Sequence, residues 1–210
     1  MIISHQHRFI FLKTRKTAGT SLEIALSQYC GPNDLITRIS SDDEELRRER
    51  GFRGPQNYLV GERLVTNHHG AATALAIVGI EKWGSYFKFS IERNPFDRAI
   101  SSYWWRTRKM SPRPSIHDYL PTIPDLLQSN WHIYSMGDTI AADHVMRFER
   151  LEDEVNALQA RLGVGPLSMF KAKSGHRTDR RPYREVLSAG DRALIERHCS
   201  REIATFRYQW

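Results

Sequence analysis

Short apolar runs alternate along the chain with polar loops and with segments of helical period. Arg8–Lys13 (RFIFLK) is a compact apolar run and predicts a buried strand. A small polar loop, Thr14 to Gly19, follows it. Thr20-Ser21-Leu22-Glu23 then predicts a helix to about Tyr29, with Thr20 and Glu23 at capping-box spacing and Leu22, Ala25 and Leu26 as its apolar face. Gly31-Pro32-Asn33 stops that helix. Residues 38–63 carry many charges and little periodicity, and read as a flap with a short helix near Asp42–Arg50. Ala71–Val78 is a helix of small residues preceded by His68-His69-Gly70.

Tyr86–Glu92 (YFKFSIE) alternates and predicts a second core strand. Asn94-Pro95-Phe96-Asp97 supplies an N-cap, a proline at the first helical position and an acid in the first turn, so a helix should run to about Arg108. Ser111–Pro114 breaks it, and Ser115–Gln128 predicts a short helix interrupted near Pro121 and Pro124. His144–Phe148 is a third strand. Leu151, Val155, Leu158 and Leu162 recur at helical spacing, with Gly163 as the stop. Lys171–Arg184 is a basic loop, and Asp191–Phe206 a last amphipathic helix. Strands alternating with helices predict an α/β fold, a central parallel sheet flanked by helices, within a single domain spanning residues 1–210.

Composition narrows the function. The chain has 210 residues and a formal charge of +7, and 24 of its 31 basic residues are Arg. Arg suits planar, bidentate recognition of phosphate and similar oxyanions. Two cysteines, Cys30 and Cys199, exclude a disulfide scaffold and are too few for a Cys-rich zinc site, so no metal enters the reading. The opening residues MIISHQHRFI hold no long apolar stretch, and no run of 18 apolar residues occurs, so a cytoplasmic protein without stable membrane insertion is expected. Trp83, Trp104, Trp105 and Trp131 read as core or as the wall of a sugar groove.

Two motifs carry chemistry. The first is strand, then Lys13-Thr14-Arg15-Lys16-Thr17-Ala18-Gly19-Thr20-Ser21, then helix. A helix start offers unpaired N–H groups to a phosphate, Gly19 permits close approach, Lys16 adds charge, and Thr17, Thr20 and Ser21 add hydroxyls. It is P-loop-like without the glycines of a Walker A loop. An ordinary capped turn is the alternative. The second motif, Arg93-Asn94-Pro95-Phe96-Asp97-Arg98-Ala99-Ile100-Ser101-Ser102-Tyr103, enters a helix from a strand's carboxyl end, where ligands bind in open α/β sheets. Arg93 and Ser101 could converge on one anion; capping by Asn94 and an Arg98 ion pair are the bland reading.

Together, RKTAGTS and the ungapped RNPxxRxxSxY resemble the PAPS-dependent sulfotransferases of the family 2 type, which includes heparan and uronyl 2-O-sulfotransferases. FKFSIERNP, VMRFERLEDEV and RTDRRPYREVLS are similar to later family segments. Arg15 stands where the family usually has Pro. The resemblance implies transfer of a sulfuryl group from 3′-phosphoadenosine-5′-phosphosulfate (PAPS) to a hydroxyl of a carbohydrate, glycan precursor or small-molecule acceptor. It implies that Arg15, Lys16, Thr17, Ala18, Gly19, Thr20 and Ser21 cradle the 5′-phosphosulfate, and that Arg93 and Ser101 hold the 3′-phosphate.

Lys16 is placed to stabilise charge on the leaving phosphate, and His is the usual base for an acceptor hydroxyl. His68 and His69 lie between the two motifs, with His69 slightly preferred. The 171–184 loop reads as a lid on the nucleotide, with Arg177, Arg181 and Tyr183 as its contacts. Two other readings compete. A kinase-like phosphotransferase would need Mg²⁺ and a strand ending in Asp. A nucleic-acid-binding module would place its bases along a groove-reading helix. The basic clusters sit instead at strand ends and loops: windows 8–16, 93–113 and 171–184 carry a net +14, and the remainder −7. That pattern fits one polyanionic ligand and no nucleic acid.

Overall fold

The computed structural model describes residues 1–124, 129–169 and 177–210. In chain order its first elements are β1 (Ile2–Ser4), β2 (Phe9–Phe11), α1 (Gly19–Ser27), β3 (Leu35–Ile36) and α2 (Ser41–Glu49). The hairpin of β4 (Leu59–Val60) and β5 (Arg63–Leu64), α3 (Ala71–Ser85), β6 (Phe87–Glu92), α4 (Pro95–Arg106) and α5 (Ile116–Tyr119) follow. After these come α6 (Trp131–Tyr134), the hairpin of β7 (Ser135–Met136) and β8 (Thr139–Ile140), β9 (His144–Arg147) and α7 (Leu151–Leu162). The chain ends in α8 (Tyr183–Val186), α9 (Ala189–His198) and α10 (Ser200–Phe206). They group into two compact units, Met1–Glu92 with His132–Ala172, and Arg93–Trp131 with Lys173–Trp210.

The first unit is built on a five-stranded sheet of order β3-β1-β2-β6-β9. β2, β6 and β9 pair in parallel, Phe11 opposite Phe89 and Ile91 opposite Met146. The expected wholly parallel sheet needs one correction, because β1 runs antiparallel to both β2 and β3. Only the short turn His5–Arg8 joins β1 to β2, and so short a connection closes only an antiparallel pair. Asp34 fixes that corner, its carboxylate accepting from the Ser4 hydroxyl (2.8 Å) and from the His5 (2.6 Å) and Gly31 (2.8 Å) backbone amides. Phe9, Phe11, Phe89, Ile91 and Met146 bury one sheet face under Leu22, Ala25 and Leu26 of α1 and Val155 and Leu158 of α7. Each of these side chains larger than alanine contributes roughly 1.5–3 kcal/mol by leaving water. α7 stops at Gly163, whose φ of 61° is the left-handed conformation the stop signal requires. α3 runs past Val78 to Ser85, but Gly79 breaks it with φ 77° and ψ 165°.

The second unit packs Phe96, Ile100 and Tyr103 of α4 against Ile116, Leu120, Ile123, Leu187, Ile195 and Cys199. α4 starts as its sequence predicts: the Asn94 side chain accepts from the Phe96 amide at 3.0 Å, and Pro95 opens the helix. Arg98 is buried beneath it, 3.3 Å from the Cys199 sulfur and 3.9 Å from the Glu202 carboxylate. The helix expected over 115–128 is four residues long, followed by a 3₁₀ turn at Leu120–Thr122; residues 125–128 lie outside the described residues. The last helix begins at Ala189 behind a Ser188–Asp191 capping box and is interrupted at Cys199. Among the described residues no helix is long and apolar enough to cross a membrane.

Candidate functional site

β2 and β6 are adjacent and parallel, so their carboxyl ends share one sheet edge. The Thr14–Ala18 loop leaves β2 at that edge and enters α1. The Thr14 hydroxyl donates to the Ile91 carbonyl on β6, which pins the loop to the edge. Thr14 Oγ1 and Thr17 Oγ1 are 2.8 Å apart. Since Thr14's one hydroxyl proton goes to Ile91, the Thr17 hydroxyl donates to Thr14, and it braces the loop from within. Lys16 and Ala18 both have φ of 62°, on either side of Thr17. Alternation of this kind turns successive N–H groups toward one concavity. Gly19 is closely packed: a methyl there would lie 3.0 Å from Lys13 Cγ and 3.3 Å from the Thr14 carbonyl. Arg15, Lys16, Ala18 and Thr20 remain partly exposed, whereas Thr17, Gly19 and Ser21 are buried.

Thr20 and Glu23 do not form the expected capping box. The N-cap is Ala18, with no side-chain cap bond, and Glu23 faces inward. Its carboxylate meets Lys13 Nζ at 2.6 Å and Arg47 Nη2 at 3.7 Å, accepts from the Thr37 hydroxyl at 3.1 Å, and lies 3.2 Å from the Met1 amino group. A buried carboxylate with such partners gains more from countering them than from reaching back to an exposed cap. Burial opposes its ionisation, but Lys13, the Met1 amino group and Arg47 together outweigh burial and hold it at about 2. Arg47 comes from α2, inside the segment expected to be a flap.

The two adjacent histidines have different environments. His68 Nδ1 lies 2.9 Å from the Lys13 carbonyl. A carbonyl only accepts, so Nδ1 carries the proton and Nε2 the lone pair. Burial, with the Lys13 and Arg15 charges, lowers His68 to about 3, so the ring is neutral at physiological pH. His69 Nδ1 accepts from the Thr66 amide at 3.0 Å, which places the neutral ring's proton on Nε2. Burial and Arg63 lower its pKa as well. Gly70 follows beneath the backbone of His132 and Ile133, where a methyl would overlap the His132 carbonyl. His132 Nε2 accepts from Arg15 Nη1 at 3.2 Å. At the end of β6, the buried Glu92 carboxylate accepts from the Tyr134 hydroxyl at 2.9 Å.

In the second unit, Asp97 gathers two of the anticipated basic residues. Arg93 Nε donates to Asp97 Oδ2 at 2.9 Å, and Arg177 Nη1 donates to Asp97 Oδ1 at 2.8 Å. Two guanidinium groups thus share one carboxylate. Arg181 is held separately by Asp179 at 2.7 Å, close to neutrality. Tyr183 stacks on Phe96 with centroids 5.6 Å apart and donates to the Gln209 carbonyl. Ser101 is half-buried on α4, two turns beyond Arg93. Of the expected lid, 171–176 lie outside the described residues. Trp131 is core, while Trp104 and Trp105 lie under Arg113 and Arg108.

Lys13 opens the first motif but was given no role of its own, and Arg47 and His132 carry no motif and were not anticipated. Glu23 had a signal: α1 is otherwise small or apolar, and a lone acid in such a helix calls for a buried cation. For Arg47, one of several bases in its segment, and for His132, the sequence holds no comparable sign. Comparison with known proteins adds one match: the model of the sulfotransferase family covers residues 1–119, more than half of the chain. No curated protein and no solved structure matches it.

Proposed function

The chain belongs to the sulfotransferase family, of the family 2 type, and from that premise we propose that it transfers a sulfuryl group from PAPS to a hydroxyl of a carbohydrate or glycan precursor. The observation that carries this reading is the β2–α1 loop, with Lys16 and Ala18 left-handed on either side of Thr17 and Gly19 in close contact with Lys13. A loop of that form at a sheet's carboxyl edge suits a phosphosulfate. Thr17 serves through its backbone amide, its hydroxyl being held by Thr14. The Arg93 and Arg177 guanidinium groups held at Asp97 suit the 3′-phosphate, with Ser101 as a further donor on α4.

Of the pair, His68 is the better placed to act as the base. The Lys13 carbonyl leaves its Nε2 lone pair available, whereas the neutral His69 ring has its proton on Nε2. In the transfer, the acceptor hydroxyl gives its proton to His68 Nε2 as its oxygen bonds to sulfur. The bond from sulfur to the phosphate oxygen breaks, and adenosine 3′,5′-bisphosphate departs with that electron pair. The Lys16 ammonium offsets the charge that develops there.

Thermal unfolding with ligands tests the donor assignment. Adenosine 3′,5′-bisphosphate at 100 times its Kd should stabilise the protein by about 2.7 kcal/mol, and ATP–Mg²⁺ should not. A response to ATP–Mg²⁺ or DNA alone rejects the sulfotransferase reading.

A further inference from the structure

Arg15 of the phosphate loop and His132 are 117 positions apart in the chain, yet Arg15 Nη1 donates to His132 Nε2 at 3.2 Å. Arginine only donates, so the imidazole that receives it is neutral, with its proton on Nδ1. The anchor brings no negative charge of its own. Asp97 and Asp179 hold Arg93, Arg177 and Arg181 differently, each setting a carboxylate against the guanidinium it fixes. We propose that His132 is a positioning residue of the donor site: it fixes the Arg15 guanidinium without neutralising it, and so directs a full positive charge at the sulfuryl group of PAPS.

The inference rests on the sulfuryl-transfer reading with His68 as the base, and contiguity supports it. The His68 ring bonds to the carbonyl of Lys13, two residues before Arg15. Gly70, two residues after His68, lies under the His132 and Ile133 backbone. The loop, the base and the anchor of Arg15 are therefore neighbouring segments of one unit. The sulfuryl group must travel from the loop to the hydroxyl beside the base, and its peripheral oxygens stay charged throughout. A planar guanidinium matches a pair of such oxygens. A free arginine side chain carries about 2 kcal/mol of rotamer freedom. Holding it beforehand spares part of that cost when the donor binds.

Calorimetric titration with PAPS and with adenosine 3′,5′-bisphosphate, which lacks the sulfuryl group, tests this without any acceptor. His132→Phe keeps a ring but removes the acceptor nitrogen. It should weaken PAPS by about tenfold and the bisphosphate by less than about threefold. Arg15→Ala should show the same selective loss, and the double variant should bind PAPS no worse than Arg15→Ala alone. His132→Gln, whose amide oxygen can accept from Arg15, should recover most of the affinity. Should His132→Phe not fold, His132→Ala is read in its place. Equal weakening of both ligands, an unchanged PAPS affinity, additive losses in the double variant, or a folded His132→Gln as weak as His132→Phe would each overturn the proposal. A wild-type protein that binds neither ligand overturns the functional reading instead.

Discussion

Glu23→Gln isolates the buried charge cluster on which the phosphate loop stands. The substitution keeps the side chain's shape and removes a carboxylate that faces Lys13, Arg47 and the Met1 amino group together. Glu23 titrates at about 2 in the folded chain against 4.5 for the unperturbed group. At about 1.4 kcal/mol per pH unit, that difference corresponds to on the order of 3 kcal/mol favouring the folded state at neutral pH. Breaking a buried ion pair from one side independently predicts a loss of about 3–5 kcal/mol. Because the folded-state value lies below the unfolded one, the contribution is complete above about pH 4.5 and fades as the pH falls toward 2. Urea unfolding of both proteins between pH 7 and pH 3 should show a gap of about 3 kcal/mol at pH 7 that narrows in acid. A gap under about 1 kcal/mol, or one of constant size across that range, would show that the cluster is held by something other than the Glu23 charge.

Two further outcomes follow from the site geometry. Lys16→Ala should leave stability nearly unchanged, since Ala18 already tolerates the same left-handed backbone, and should reduce transfer from labelled PAPS by about 10²–10³-fold; near-normal turnover would remove Lys16 from the mechanism. Gly70→Ala should destabilise the protein by about 1–3 kcal/mol in a denaturant titration, because its methyl would overlap the His132 carbonyl and lie 3.0 Å from Ile133 Cα; an unchanged midpoint would contradict the packing of the His68–Gly70 segment.

The parts of the fold that the sequence announced are those governed by local chemistry. Asn94-Pro95 starts α4, Gly163 ends α7, and the alternation in FKFSIE is a strand, because caps, stops and period-2 runs act over a few residues. β1 gave no such sign. Three residues are too few for a period, and pairing with β2 and β3 decides them. The Thr20–Glu23 spacing misled because Ser/Thr-x-x-Glu describes a cap and equally permits an inward-facing acid; burial distinguishes the two. For the site, motif spacing marked the loop and Arg93. The tautomers of His68 and His69 were illegible, because each depends on a backbone partner elsewhere in the fold: Lys13 for one, Thr66 for the other. The shared hold of Asp97 on Arg93 and Arg177 spans 80 positions of chain and has no local signature.

The order in which the chain visits its two units constrains how the protein can be made or cut. Residues pass from the first unit to the second after Glu92, return at His132, and leave again after Ala172. β6 therefore waits for its neighbour β9 until residues 144–147 have been synthesised, by which time α4 and α5 have already been made. No single cleavage separates either unit as an unbroken polypeptide. A truncated fragment that ends near residue 119, however well it retains the family motifs, lacks one strand of the central sheet and every helix from α6 onward. Dissection of this protein thus calls for substitution or circular permutation rather than for deletion from an end.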